Sequence, residues 1–215
     1  MHSKCGKVLF SIERDRIQLE YFFDCSSIWT YLSYARIESI CLAIETELVW
    51  RPFLVGGVFN TINQSVYEAR ANPVPVKARY YQKDLQDWAG FQGITIGNPP
   101  VFPVNSVKAM RGCFVALESG CISEYAGLVF KAYWTDLKDI SGDEVLGEIV
   151  EASGMVVTDF FYKISSDEYK QKLRRNTDEL IERGGFGSPT IYVNGDDMYF
   201  GNDRLVLVEY KLQGA

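Results

Sequence analysis

Two short stretches of this chain carry groups that could hold an anion or a sulfur. The first is Asp24-Cys25-Ser26-Ser27, which follows the apolar run Tyr21-Phe22-Phe23 and precedes a helical pattern. A hydroxyl where a strand stops and a helix begins lies among free backbone N–H groups, at the positive end of the helix dipole. Such a place stabilises an anion, and a thiolate in particular. Ser27 occupies it, and its plainer alternative is an N-cap serine worth about 1 kcal/mol. Cys25, two residues upstream, reads as a packing residue, since a free cysteine behaves as a small apolar side chain. The second stretch is Phe186-Gly187-Ser188-Pro189-Thr190. An X-Pro bond between a glycine turn and a strand is open to the cis form, the alternative being a trans proline that starts the strand.

Other chemistry is largely excluded. The single histidine is His2, at the extreme N-terminus, so Ser-His-Asp, Cys-His and histidine-zinc sites are poor readings. The five cysteines (Cys5, Cys25, Cys41, Cys113 and Cys121) are odd in number, irregularly spaced and free of any CxxC. A disulfide framework and a structural zinc are thereby disfavoured, no metal site is expected, and a reducing, cytoplasmic setting fits best. A formal charge of −6 without a basic cluster argues against nucleic acid. No apolar run is long enough to span a bilayer, and no secretory signal is recognisable at the N-terminus.

The elements that must position these groups follow from hydrophobic periodicity. Residues 17–23 read as a strand, Ile28 to Ile44 as a helix apolar on two sides, and residues 47–53 as a second strand. That is a βαβ unit, with parallel strands and a right-handed crossover. Helices are expected over 78–88, 106–119, 123–134, 143–152 and 166–183, two of them opened by the capping boxes Ser141-x-x-Glu144 and Ser165-x-x-Glu168. Gly154 and Gly184-Gly185 read as helix stops. The three prolines of residues 97–103 demand an extended loop. A hairpin over 190–200, turning at Asn194-Gly195-Asp196-Asp197, and a helix over 204–212 close the chain. The order is β-α-β, a block of helices, then β-β-α. It predicts a split α/β domain (17–55 and 185–215), a helical insertion (56–184) and an N-terminal extension (1–16).

In this order, four stretches together make the chain resemble a known family. They are residues 21–32, 51–59, 186–190 and Gly201-Asn202-Asp203-Arg204, with weaker support from 76–80 and 102–106. The build resembles the thioredoxin-like fold interrupted by a large all-helical insertion. Within it, the chain is similar to the 2-hydroxychromene-2-carboxylate isomerases and the related kappa-class glutathione transferases. The resemblance implies glutathione as cofactor, a cis Ser188–Pro189 bond, and Ser27 as the catalytic residue that holds the glutathione sulfur. It places Ser188 and Pro189 on the cysteinyl unit and Asn202 and Asp203 on the γ-glutamyl end. Lys77 would take the glycyl carboxylate, assisted by Asn63. Trp29, Phe59, Tyr80, Tyr81 and Phe102 would wall a pocket for a small aromatic substrate.

The implied activity is isomerisation of 2-hydroxychromene-2-carboxylate, or of a similar intermediate of aromatic-compound degradation, by reversible thiolate addition. A homodimer is implied as well. The alternatives are a kappa-class-like glutathione transferase and a non-catalytic thioredoxin-like binding module. Bland roles stay open for single residues: Asp203 as an N-cap, Lys77 as a solvated lysine, the aromatics as core. The chain departs from the family in one place, because Ile28 stands where relatives usually have a proline that pre-sets the first helical turn.

Overall fold

The computed structural model describes residues 18–214. The expected 1–16 extension, with His2 and Cys5, lies outside the described residues. Strand β1 (Gln18–Phe23) runs into helix α1 (Ile28–Ala43) and parallel strand β2 (Glu47–Pro52). Helices α2 (Val55–Thr61), α3 (Ser65–Ala71), α4 (Pro75–Gln92), α5 (Val107–Glu118), α6 (Ile122–Trp134), α7 (Asp143–Ala152), α8 (Val157–Ser165) and α9 (Asp167–Glu182) follow. Strands β3 (Thr190–Val193) and β4 (Asp197–Phe200), a 3-10 turn (Asn202–Arg204) and α10 (Leu205–Gln213) complete the chain. The sheet order is β2-β1-β3-β4, with β1–β3 and β3–β4 antiparallel. The expected βαβ…ββα order, interrupted by helices, is therefore the architecture.

β1 is central and buried on both faces, which is why its sequence is apolar almost throughout. Alternation sends Leu19, Tyr21 and Phe23 into the large core beneath α1 and the helical block. Phe22 points the other way, into a small cluster with Phe53, Val58, Leu180 and Tyr192. Val58 belongs to α2 and Leu180 to α9. The first and last helices of the 56–184 segment thus cover one face of the sheet.

Several local expectations fail for physical reasons. α2 and α3 lie where no helix is expected. Gly56 and Gly57 in α2 have poor helix propensity, but tertiary bonds hold its first turn: Leu54 N–H donates to Thr177 Oγ1 (3.0 Å) and Val55 N–H to Asp24 Oδ2 (2.9 Å). Gly57 also lets α2 sit close on α9, since a Cβ there would meet Thr177 Cγ2 at 3.0 Å. α8 is also unforeseen, being short and rich in β-branched and aromatic residues. Neither expected capping box forms: Gly142 and Ser166 are the N-caps of α7 and α9, without side-chain bonds. Ser141 Oγ instead donates to Asp139, and Ser165 Oγ to Phe161 O at the end of α8.

The glycine stops do hold. Gly154 and Gly184 are left-handed, with the paired backbone bonds Met155→Val150 and Gly185→Leu180 closing each helix end. Asn194 and Gly195 both have positive φ at the β3–β4 turn, as a tight hairpin requires.

Gly112 is a further close approach, in the middle of α5. A Cβ there would meet Phe160 Cζ of α8 at 2.5 Å and would collide with the Tyr125 hydroxyl of α6. Both rings are fully buried. Gly112→Ala is expected to cost about 1–3 kcal/mol despite its better helix propensity. In urea unfolding, the midpoint should fall while the slope stays unchanged.

Candidate active site

The β1–α1 corner and the turn before β3 meet at the mouth of a cleft of about 460 Å³. Ser27 caps α1 with extended backbone (φ −98°, ψ 120°), and its Oγ accepts the Thr30 N–H at 3.3 Å. The plain N-cap role is therefore real. The same hydroxyl donates its one proton to the carbonyl of Ser188, 3.0 Å away. The Ser188–Pro189 peptide is cis. Among the described residues, no acceptor meets the N–H groups of Ile28, Trp29 or Ser188. α1 begins at Ile28, so the helix starts directly after Ser27 without a proline in its first turn.

Ser188 is tied down on its other side. Its buried Oγ accepts the Asp24 N–H (3.0 Å) and shares a 2.7 Å hydrogen bond with Thr30 Oγ1. Behind it, Asp24 is 0% exposed. Its Oδ1 accepts the Ser26 N–H (2.9 Å), and its Oδ2 accepts the Val55 N–H (2.9 Å) and the Ser106 hydroxyl (3.2 Å). Burial pushes the Asp24 carboxyl above the usual carboxylate range, and these donors pull it only part of the way back. Cys25 is fully buried: its N–H meets Met110 Sδ and its carbonyl takes the Trp134 indole N–H. Burial also pushes its thiol up, leaving it a packing residue without a ready thiolate.

Of the residues expected at a site, the structure brings Ser27, Trp29, Phe59, Asn63, Tyr81, Phe102 and Ser188 to the lining of this cleft. Trp29 and Tyr81 meet edge to face at 5.4 Å. Asn63 Nδ2 donates to the Phe186 carbonyl at 3.0 Å, tying α2–α3 to the turn that precedes Ser188. Pro189 lies just behind the lining, its carbonyl accepting the Gly201 N–H. That bond carries Asn202 and Asp203 close to the corner, though neither lines the cleft. Asn202 is 3% exposed, and its Nδ2 has no acceptor among the described residues. Asp203 is half-exposed within the 3-10 turn and pairs with Arg204. It caps no helix: Gly201 precedes the 3-10 turn, and Arg204 is the N-cap of α10. Lys77 and Tyr80 sit on the exposed outside of α4, off the lining. An α-helix turns successive side chains by about 100°, which separates Tyr80 (65% exposed) from Tyr81.

One lining residue escaped the sequence reading. Arg70 of α3 places its guanidinium 5.5 Å from the Phe59 ring centroid and 5.4 Å from that of Phe102. It makes no ion pair among the described residues, and no Asp or Glu lines the cleft. The lining thus carries a single charge, and it is positive. Nothing in the segment 65–71 marks Arg70 in sequence, because α3 was itself not foreseen. Gly187 is a second omission: a Cβ there would meet Phe200 Cε2 at 2.6 Å, so glycine lets that ring close one wall.

The corner thus joins the Ser27 hydroxyl at the start of α1 to the cis Ser188–Pro189 peptide. Residues 18–213 match the family model described as DSBA-like thioredoxin domain. The chain belongs to that family. It is 29% identical over 199 residues to the 2-hydroxychromene-2-carboxylate isomerase of Pseudomonas sp. (strain C18), covering 92% of this chain and 91% of the relative. It is 24% identical over 204 residues to glutathione S-transferase kappa 2 of Caenorhabditis elegans, covering 89% of each. Among solved structures, a 2-hydroxychromene-2-carboxylate isomerase superposes with a TM-score of 0.77 at 24% identity, over 92% of this chain and 95% of that one. Ser27 offers a hydroxyl at this corner and cannot itself exchange disulfides.

The Asp24 carboxylate gives a test of how this corner is held. Asp24→Asn puts an amide N–H where an N–H now donates, and the cost is expected to be about 1–3 kcal/mol at pH 7. Because its folded pKa is raised, ionised Asp24 weakens the fold as pH climbs from the unfolded value of about 4. The advantage of wild type over Asp24→Asn should therefore shrink from there up to the folded pKa, then level off. Paired urea unfolding across pH 4–9 reads this directly.

Proposed function

We propose that the cleft binds glutathione and that the protein is a glutathione-dependent isomerase. Its substrate is 2-hydroxychromene-2-carboxylate or a similar carboxylated intermediate of aromatic-compound degradation. The observation that carries this reading is the Ser27 hydroxyl at the start of α1, within 3.0 Å of the Ser188 carbonyl, in a cleft whose single lining charge is cationic. The residues fit the cofactor. Ser188 presents a backbone carbonyl and a free N–H, as an extended peptide unit needs. Asn202 Nδ2 is a buried donor without a partner, and Asp203 stands next to it for an ammonium group. The relatives named above support the same reading.

Bound glutathione supplies a thiolate, the nucleophile for a reversible addition that lets a conjugated double bond turn. Ser27 and the unpaired N–H groups of Ile28 and Trp29 favour the charged sulfur over the thiol. Trp29, Tyr81, Phe59 and Phe102 offer flat walls to an aromatic ring. Arg70 offers a fork of donors to its carboxylate and orients it. Because the reactive atom belongs to the cofactor, the chain needs no histidine for this chemistry. The four described cysteines are all unpaired thiols, and no described helix is long and apolar enough to cross a membrane. Both facts are compatible with work in the cytoplasm. A homodimer is part of the same proposal, and the exposed Val74, Val76, Tyr80 and Phe91 on and beside α4 offer it an apolar surface.

Calorimetric titration with reduced glutathione tests the cofactor assignment. Binding in the micromolar to millimolar range is expected, weakened in Asp203→Ala and largely kept in Ser27→Ala. No binding at several millimolar would sink the proposal. For the substrate, Arg70→Leu should raise KM for a carboxylated chromene about tenfold or more, as loss of a charged hydrogen-bond pair implies. Glutathione affinity should be unchanged in that variant. Recovery of free glutathione after turnover identifies an isomerase, and stoichiometric consumption a transferase.

A further inference from the structure

The Ser27 hydroxyl has one proton, and two acceptors compete for it. In the protein as it stands the proton goes to the carbonyl of Ser188 at 3.0 Å, while the Ser27 oxygen accepts from the Thr30 N–H. A sulfur anion at this corner would need the same proton. If the proton moves to the sulfur, the Ser188 carbonyl loses its partner in a part-buried place, which is unfavourable unless another donor arrives. No described residue offers one. The carbonyl cannot swing away from the contact either, because Ser188 is held through its side chain by the Asp24 N–H and Thr30 Oγ1.

We propose that Ser27 and Ser188 form a latch that only an amide-bearing thiol opens fully. This rests on the glutathione reading above and deepens it by naming the class of ligand selected. An extended ligand residue lying against Ser188 donates its own N–H to that carbonyl and accepts from the free Ser188 N–H. The carbonyl is then satisfied by the ligand, and the Ser27 proton turns to the sulfur. A thiol without an N–H at that position leaves the two acceptors competing for one proton. Ser27 stabilises its thiolate less well, even where the rest of the ligand fits. The site thereby reads the backbone next to the sulfur as well as the sulfur itself, and discriminates peptide thiols from simple ones. Ser188 acts here as a positioning residue, through its carbonyl.

The titratable or charged groups that line the cleft, stand directly behind it or are assigned to the ligand are Asp24 and Cys25 at the corner, Tyr67 and Arg70 of α3, Tyr81 of α4, and Asp203 with its partner Arg204. They face any ligand in the same way, so a comparison of two ligands on one protein cancels them. The probes are glutathione and its ester analogue, in which the nitrogen of the cysteinyl residue is replaced by oxygen. Shape is kept and the donor is lost. Affinities are measured from pH 5.5 to 9, glutathione by calorimetry and the ester by displacement of glutathione, so that weak binding is still read. Each is corrected for the free thiol pKa.

The latch requires the glutathione-to-ester affinity ratio to rise with pH, by about fivefold for one net hydrogen bond. It should be flat in Ser27→Ala, which has no proton to release. A flat ratio in the wild type, with glutathione still bound, overturns the latch and leaves the proposed function standing. A rise of equal size in Ser27→Ala overturns it too, because the effect then bypasses Ser27. Failure of glutathione to bind at all overturns the functional reading and the latch together.

Discussion

Everything at the cleft depends on one crossing of the chain, where the β1–α1 corner meets the turn before β3. Three hydrogen bonds join Ser188 to Asp24, Ser27 and Thr30, across sequence separations of 158 to 164 residues. Closing a loop of that length is entropically costly, although the cost grows only slowly with length. The antiparallel pairing of β1 with β3 has already brought the two segments together. The polar contact then adds orientation, fixing which backbone groups of Ser188 face the hydroxyl of Ser27. The sheet supplies proximity and the small hydroxyl network supplies direction.

Asp24 extends that control outward. A carboxylate with no exposure is unfavourable unless its lone pairs are used, and here its two oxygens take three donors from three different elements. One belongs to the corner itself, one starts α2, and one sits at the head of α5. The group that is costly to bury is thus the one that aligns the two helices flanking the cleft with the corner. Such an arrangement exchanges stability for a defined geometry, and it is found where the chemistry would need it.

How far this was legible in the sequence varies with the range of the forces involved. β1, α1 and β2 were readable because their apolar positions repeat with the period of the element and the core honours that repeat. The corner at Ser27 was readable for the same reason, since capping residues announce a helix start. α2 was not, because its glycines speak against a helix and its stability comes from Asp24 and Thr177, distant in sequence. α3 has no buried side chain, so no hydrophobic pattern could mark it, and Arg70 went unseen with it. The capping boxes misled because Ser141 and Ser165 found nearer partners. Lys77 and Asn202 carry no periodicity or capping signal of their own, so only their position within a motif marked them, and in the fold both stand beside the lining of the cleft.

The two walls of the cleft differ in how firmly they are built. The Ser27 corner joins the buried end of β1 to α1, a helix with much of its length in the core. Arg70 hangs on α3, which has no buried side chain and is held by hydrogen bonds from Tyr67 to Asn60 and from Ser65 to Asn63 and by the Arg70 contacts with Phe59 and Phe102. Substitutions on α3 would therefore disturb little of the core. In a lineage built on this plan, the outer wall of the cleft could be rewritten through a few exposed residues while the Ser27–Ser188 corner is inherited unchanged.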